Sequence, residues 1–270
     1  MTFLTDYLSL IPTQNEISSP YIRLRDLPLI ILVGLTGVGK STVTDRLREQ
    51  VHFTLLPNRR QVTDEVIIAV LQKEAGQAVQ TVTDRLQRLE YTARYRSKYP
   101  GGMAHALSRL AVDINKLPPP IFFDGLRGVD EARYAIRYFP QARFIVLDAP
   151  DTVRLNRLLN RGDDFDQVKL DPVAGQNTLP ALQTIPHIQT VFSEADLQKI
   201  SQTTAHLPVD EVVKKTAIIV KERQNYDSQT TRDYLTHHLP SGRVLLIDTA
   251  QTTPDRTAEQ IKQWLITDLL

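Results

Sequence analysis

Gly34-Leu35-Thr36-Gly37-Val38-Gly39-Lys40-Ser41 is the stretch that decides the fold. Its G-x-x-x-x-G-K-S spacing is that of a phosphate-binding loop, and the flanking sequence supplies the context the motif needs. Before it runs Leu29-Ile30-Ile31-Leu32-Val33, apolar and of strand length; after it, Thr42-Val43-Thr44-Asp45-Arg46-Leu47 reads as a helix opening. A buried parallel strand therefore stops at Gly34, and the glycines let backbone N–H groups turn inward around an anion. The helix then points its positive end at the same place. Gly34, Thr36, Gly37, Val38, Gly39, Lys40, Ser41 and Thr42 are thus expected to cradle a nucleoside triphosphate. Lys40 supplies charge for the β- and γ-phosphates, and the Ser41 hydroxyl is a ligand for Mg²⁺.

Five apolar runs read as core strands: residues 29–33, 51–55, 121–123, 144–147 and 244–247. Helical patterns separate them, which predicts an α/β fold with a parallel sheet covered on both faces. Ala132, Ala135, Ile136 and Phe139 recur at helical spacing and Pro140 stops that helix. Pro150-Asp151 opens a helix with Leu155, Leu158 and Leu159 inward, and Thr253-Pro254 caps a terminal one that buries Ile261, Trp264 and Leu265. Two insertions break the alternation. Residues 64–118 read as helical throughout, an antiparallel pair broken at Tyr99-Pro100-Gly101-Gly102. Residues 162–242 open on a polar stretch, 162–180, expected to be a mobile loop, and continue as helices near 194–205, 209–223 and 230–238. The division expected is an extension, 1–27, to which no role is assigned, and a core, 28–270, carrying both insertions.

Composition narrows the partners. Lys and Arg number 32 against 31 Asp and Glu, so no global field favours nucleic acid or a membrane surface. Zero cysteines exclude disulfides, thiol catalysis and thiolate metal sites, and fit a reducing cytoplasm. Residues 1–10 carry no Lys or Arg, unlike a signal peptide, and no apolar stretch reaches membrane-spanning length. The histidine spacing argues against a zinc site.

The chemistry is expected around the loop. Asp124, in Ile121-Phe122-Phe123-Asp124-Gly125, ends a strand beside it and can hold a Mg²⁺-bound water or polarise an acceptor hydroxyl; it can also simply cap the next turn. Arg154, Arg157 and Arg161 share one helix face ahead of Gly162-Asp163-Asp164. They form either a lid that closes over a transferring phosphoryl, with Arg157 and Arg161 foremost, or a solvated basic face. Arg59 and Arg60, with Thr63-Asp64 capping the next helix, and Arg127 could face an anionic acceptor, or form a plain surface loop. Tyr91, Tyr95 and Tyr99 form a stripe that could stack on a planar acceptor, although such stripes more often pack against a neighbouring helix.

At Gly34–Ser41, Phe123-Asp124-Gly125, the Arg154/Arg157/Arg161 helix and the run 245–249 before the terminal helix, the chain resembles the P-loop kinases of small metabolites, the group that includes nucleoside-monophosphate kinases. That resemblance implies a five-stranded parallel sheet in the order 2-3-1-4-5, ATP with Mg²⁺ as donor, lid closure, and adenine near Thr249-Ala250-Gln251. It departs from the adenylate-kinase D-G-F-P-R at Asp124-Gly125-Leu126-Arg127-Gly128, where arginine falls one place early and proline is missing.

Three functions follow as expectations. The first is phosphoryl transfer from ATP to a small metabolite such as a nucleotide or nucleoside. The second is an ATPase switch whose helical segments bind a protein partner. The third is a polynucleotide 5′-kinase tracking phosphates along residues 88–98, which the near-zero net charge disfavours.

Overall fold

Leu29–Val33 is fully buried along its length, and its side chains divide between two cores. Leu29, Ile31 and Val33 enter one; Ile30 and Leu32 enter the other, as strand periodicity requires of a centre strand covered on both faces. The computed structural model describes residues 2–3, 7–11, 17, 19–118, 120–161 and 177–267. Within them this strand, β4, pairs in parallel with β7 (Ile121–Leu126) and β8 (Arg143–Asp148). The short β5 (Thr54–Leu55) lies outside β7, and β9 (Val244–Asp248) outside β8. Counted along the chain, the parallel strands run 2-3-1-4-5, the order the resemblance implies.

Helices cover both faces. α1 (Lys40–Arg48) and α12 (Pro254–Thr267) bury Val43, Leu47, Ala258, Ile261 and Leu265 against one face, with Trp264 packed at the margin. Against the other face lie α5 (Gly102–Ser108) and α6 (Val129–Tyr138), through Met103, Ala106, Ala132 and Ala135. A third apolar cluster joins the second insertion to the helix before it: α7 (Asp151–Leu159), α8 (Thr178–Gln183), α9 (Glu194–Thr203) and α10 (Val209–Asn225) meet around Leu158, Leu182, Phe192 and Ile218. α11 (Ser228–His238) returns the chain to the sheet. The expected mobile loop lies mostly outside the described residues, and its last residues, from Thr178, already belong to α8.

The first insertion corrects the reading of continuous helix. Residues Leu110–Asp113 form a strand, β6, buried at every position and held between β2 (Leu8–Leu10) and β3 (Tyr21–Arg23). With β1 (Thr2–Phe3) they make an antiparallel sheet in the order β1-β2-β6-β3. Leu107, Leu110, Ile114 and Leu117 carry helical spacing, but strand partners about a hundred residues upstream override it, and Ile114 is exposed. Helix α4 (Arg85–Lys98) also starts later than expected. Gln72 holds Gln80 by two backbone bonds, and Asp84 caps the helix through the Gln87 N–H. Upstream, Asn58 rather than Thr63-Asp64 caps the helix that follows β5, in a reciprocal pair with Gln61. That helix runs as α2 (Arg59–Val62), a π-helical turn (Thr63–Ile68) and α3 (Ala69–Glu74), with Thr63 buried inside it.

Candidate functional site

The loop from Gly34 to Ser41 leaves the carboxyl end of β4 and closes on the first turn of α1. Gly37 (φ +83°) and Gly39 (φ +95°) take left-handed backbone. A Cβ at Gly37 would stand 2.6 Å from the Arg154 carbonyl oxygen, so the loop is packed directly on α7. Lys40 Nζ donates to the Gly34 and Leu35 carbonyls (2.9 and 3.1 Å) and lies 3.8 Å from Asp124 Oδ1. Burial lowers the Lys40 pKa to about 8, with Asp124 opposing that fall. Asp124 Oδ1 is itself buried and accepts no hydrogen bond among the described residues. Ser41 and Thr42 are exposed on the first turn of α1, and with Asp124 they border one cleft of about 630 Å³.

Among the described residues, seven basic side chains line that cleft, Lys40, Arg59, Arg60, Arg85, Arg127, Arg157 and Arg161, against one carboxylate, Asp124. They are not equivalent. Arg59 is buried and grips Glu131 with both terminal nitrogens (2.9 and 2.7 Å), while also bonding the Gly125 carbonyl and Tyr226 Oη. Burial disfavours its charge, but Glu131 outweighs that and raises the Arg59 pKa. It frames the site more than it offers a free fork to a ligand. Arg60 lines the cleft and a smaller recess beside it, shared with Arg85, Arg88 and Arg127. Arg88 pairs with Asp64 at 2.9 Å. Arg127 lines both the cleft and that recess.

The three arginines expected on one helix face part company: Arg154 and Arg157 lie on α7, but the helix ends at Leu159 and Arg161 lies past it. Arg154 is almost wholly buried; it bonds the Thr36 carbonyl, Asp151 and Glu222, and so clamps the loop from behind instead of closing over it. Arg157 reaches across to the Gly37 carbonyl (3.3 Å) and to Thr249 Oγ1 and O (2.9 and 2.7 Å). Arg161 is exposed at the cleft mouth. The tyrosine stripe is packing: Tyr95 is fully buried with its hydroxyl 3.0 Å from His105 Nδ1, and Tyr99 stacks on the same imidazole. Arg96 lies over the Tyr226 ring and bonds the Asn225 carbonyl, so the basic face of α4 is partly folded inward.

Sequence reasoning missed three members of this site: Arg85, Glu131 and Glu222. Glu222 is fully buried and accepts from the Thr36 N–H (3.2 and 3.0 Å), Thr36 Oγ1 (3.0 Å), Arg127 Nη1 (2.7 Å) and Arg154. Burial would raise its pKa, but Arg127, Arg154 and Arg85 together lower it to about 2. The signal was present: a carboxylate four residues after Ile218, on the apolar stripe of a helix.

Asp124 was expected to end its strand, but β7 runs on to Leu126. A phosphate-binding loop between a strand and a helix, beside a strand that carries Asp124, in a 2-3-1-4-5 parallel sheet, defines a P-loop nucleotide-binding protein. The chain belongs to the family described as the AAA domain, whose sequence model matches residues 30–169, over half of its length. No curated protein matches it by sequence. Among solved structures it is similar to a protein from Thermus thermophilus (14% identity, TM-score 0.48, 91% of this chain and 99% of the other). A shikimate kinase from Acinetobacter baumannii, in complex with shikimate, overlaps at 14% identity and TM-score 0.40, over 92% of this chain and 97% of that one. A deoxyadenosine kinase from M. mycoides with bound dATP overlaps at 10% identity and TM-score 0.36, over 88% and 98%.

Proposed function

We propose that the protein is an ATP-dependent phosphotransferase that moves the γ-phosphoryl group to a small metabolite. The observation that carries this reading is the two-walled cleft: the loop with Lys40 on one side, the arginine-bearing wall of Arg60, Arg85 and Arg127 on the other, and Asp124 between them. A nucleotide on the first wall leaves the second for an acceptor.

In this reading the loop amides and Lys40 hold the donor phosphates, with the adenine toward Thr249 and Thr252. Ser41 and Asp124 would hold Mg²⁺. The unbonded buried Oδ1 of Asp124 and the exposed hydroxyl of Ser41 suit a metal that keeps its remaining positions for water and phosphate. When bound, the metal neutralises charge on the phosphate oxygens. Asp124 also orients the acceptor hydroxyl and accepts its proton. Arg157 and Arg161 stand on the α7 side, where they can neutralise the phosphoryl in transit; Arg60 and Arg127, framed by Arg59, face the acceptor. Catalysis is positioning and electrostatics, with no covalent enzyme intermediate.

The test is ADP release from ATP and Mg²⁺, first without acceptor and then across nucleosides, nucleoside monophosphates, sugars and small phosphorylated metabolites. Stimulation by one class, with its phosphorylated product seen by mass spectrometry and lost in Lys40→Ala, supports the kinase. Steady turnover indifferent to every acceptor overturns it in favour of an ATPase switch.

A further inference from the structure

Glu222 comes from α10, in the insertion beyond the P-loop core, yet its partners are parts of the cleft. Both its oxygens receive the Thr36 N–H, and Oε1 also receives the Thr36 hydroxyl and Arg127 Nη1. Because a carboxylate can only accept, Thr36 Oγ1 must donate to it, and that leaves the hydroxyl lone pairs to accept from Arg85 Nη2 at 2.8 Å. One carboxylate thereby fixes Thr36 directly, Arg127 directly and Arg85 through the threonine. Arg154 completes the arrangement from behind, bonding Glu222 and the Thr36 carbonyl together.

We propose that Glu222 is a positioning residue, the internal counter-ion that sets the site's arginines and the entry limb of its phosphate loop. It aims Arg127 and Arg85 across the cleft, and it removes part of the positive charge that a polyphosphate would otherwise meet. Without that charge the guanidiniums would swing onto the phosphate chain, binding it more tightly in a geometry unfit for transfer. A salt bridge that served folding alone would have no such consequence, since its loss would weaken binding and stability together.

The role of Glu222 in turnover rests on the kinase reading, but its role as counter-ion does not, and the experiment separates the two. Full-length protein and Glu222→Gln are titrated calorimetrically with inorganic tripolyphosphate, at low ionic strength and without acceptor, and their folding is checked by circular dichroism. The neutral isostere is expected to bind tripolyphosphate at least threefold more tightly. Where an acceptor has been found, its kcat is expected to fall tenfold or more with KM for nucleotide unchanged or lower, and Glu222→Asp is expected to recover part of the kcat. Unchanged or weakened tripolyphosphate binding by folded Glu222→Gln overturns the proposal. If Glu222→Gln does not fold, Glu222→Ala, equally neutral, carries the test with the same expected tightening; unchanged or weakened tripolyphosphate affinity overturns the proposal. Absence of any acceptor would sink the kinase while leaving the calorimetric comparison intact.

Discussion

Arg59 and Arg60 are neighbours in sequence with opposite fates, and the difference is set by what each meets. Arg59 lies under Gly125, where a Cβ would approach its own Cβ to 2.7 Å, and is locked to Glu131. Arg59→Ala should therefore strand a buried carboxylate and cost about 3–5 kcal/mol of stability, read from the denaturant midpoint. Arg60→Ala, at a half-buried cleft position, should leave the midpoint nearly unchanged and raise the acceptor KM. Lys40 carries a pH signature. Its ammonium, pulled down to about 8 by burial, loses its proton as pH rises through that value, so free protein binds phosphate less well above it. The kcat/KM for nucleotide should fall about tenfold per pH unit on that limb. Lys40→Arg, which stays charged, should flatten the dependence while lowering the rate. The position of Lys40 was legible because it follows from spacing along one strand–loop–helix unit, and that of Asp124 because its apolar run was readable as a neighbouring strand. Glu131 and Glu222 were not legible, since each matters only through an arginine far away in the chain.

Among the elements, β4, β7 and β8 were readable as apolar runs because a strand covered on both faces leaves no polar alternation, and β9 was readable from its apolar run although it lies at the sheet edge with Leu246 exposed. β5 proved shorter than the run 51–55, and β6 was hidden in a helical spacing. Four apolar residues at intervals of three and four satisfy a helix, but Leu110-Ala111-Val112 is also a fully buried strand once β2 and β3 flank it. The extension 1–27, mute in the sequence, supplies those flanking strands and Leu24, which is fully buried against α5 and β6. Leu24→Ala should cost about 2–5 kcal/mol, measured by chemical denaturation, although Leu24 lines no part of the cleft. The α4–α5–α6 junction contains its own sensor of acid. Burial, then the nearby Arg109, holds the His105 pKa down to about 4 against 6.5 for a free imidazole. Between those values the unfolded chain takes the extra proton, so stability should be complete above pH 6.5 and fall as pH drops toward 4. His105→Asn should lose that slope in thermal melts taken across the range.

Over the whole molecule the charges nearly cancel, +1 at neutral pH, yet among the described residues the cleft gathers seven basic groups around one acid. Global charge therefore says little about what this protein binds; its local concentration says more. Tripolyphosphate affinity should drop by an order of magnitude or so between about 50 and 500 mM salt despite the neutral total, because the field that attracts it is local. One tie across the site spans 186 residues, from Thr36 to Glu222. During synthesis the loop leaves the ribosome first, and its carboxylate anchor follows 186 residues later. With Glu222 in the role inferred for it, a nascent chain displays the nucleotide motif long before it holds the geometry for transfer. In that role the anchor makes competence wait for α10, however early the loop itself is made.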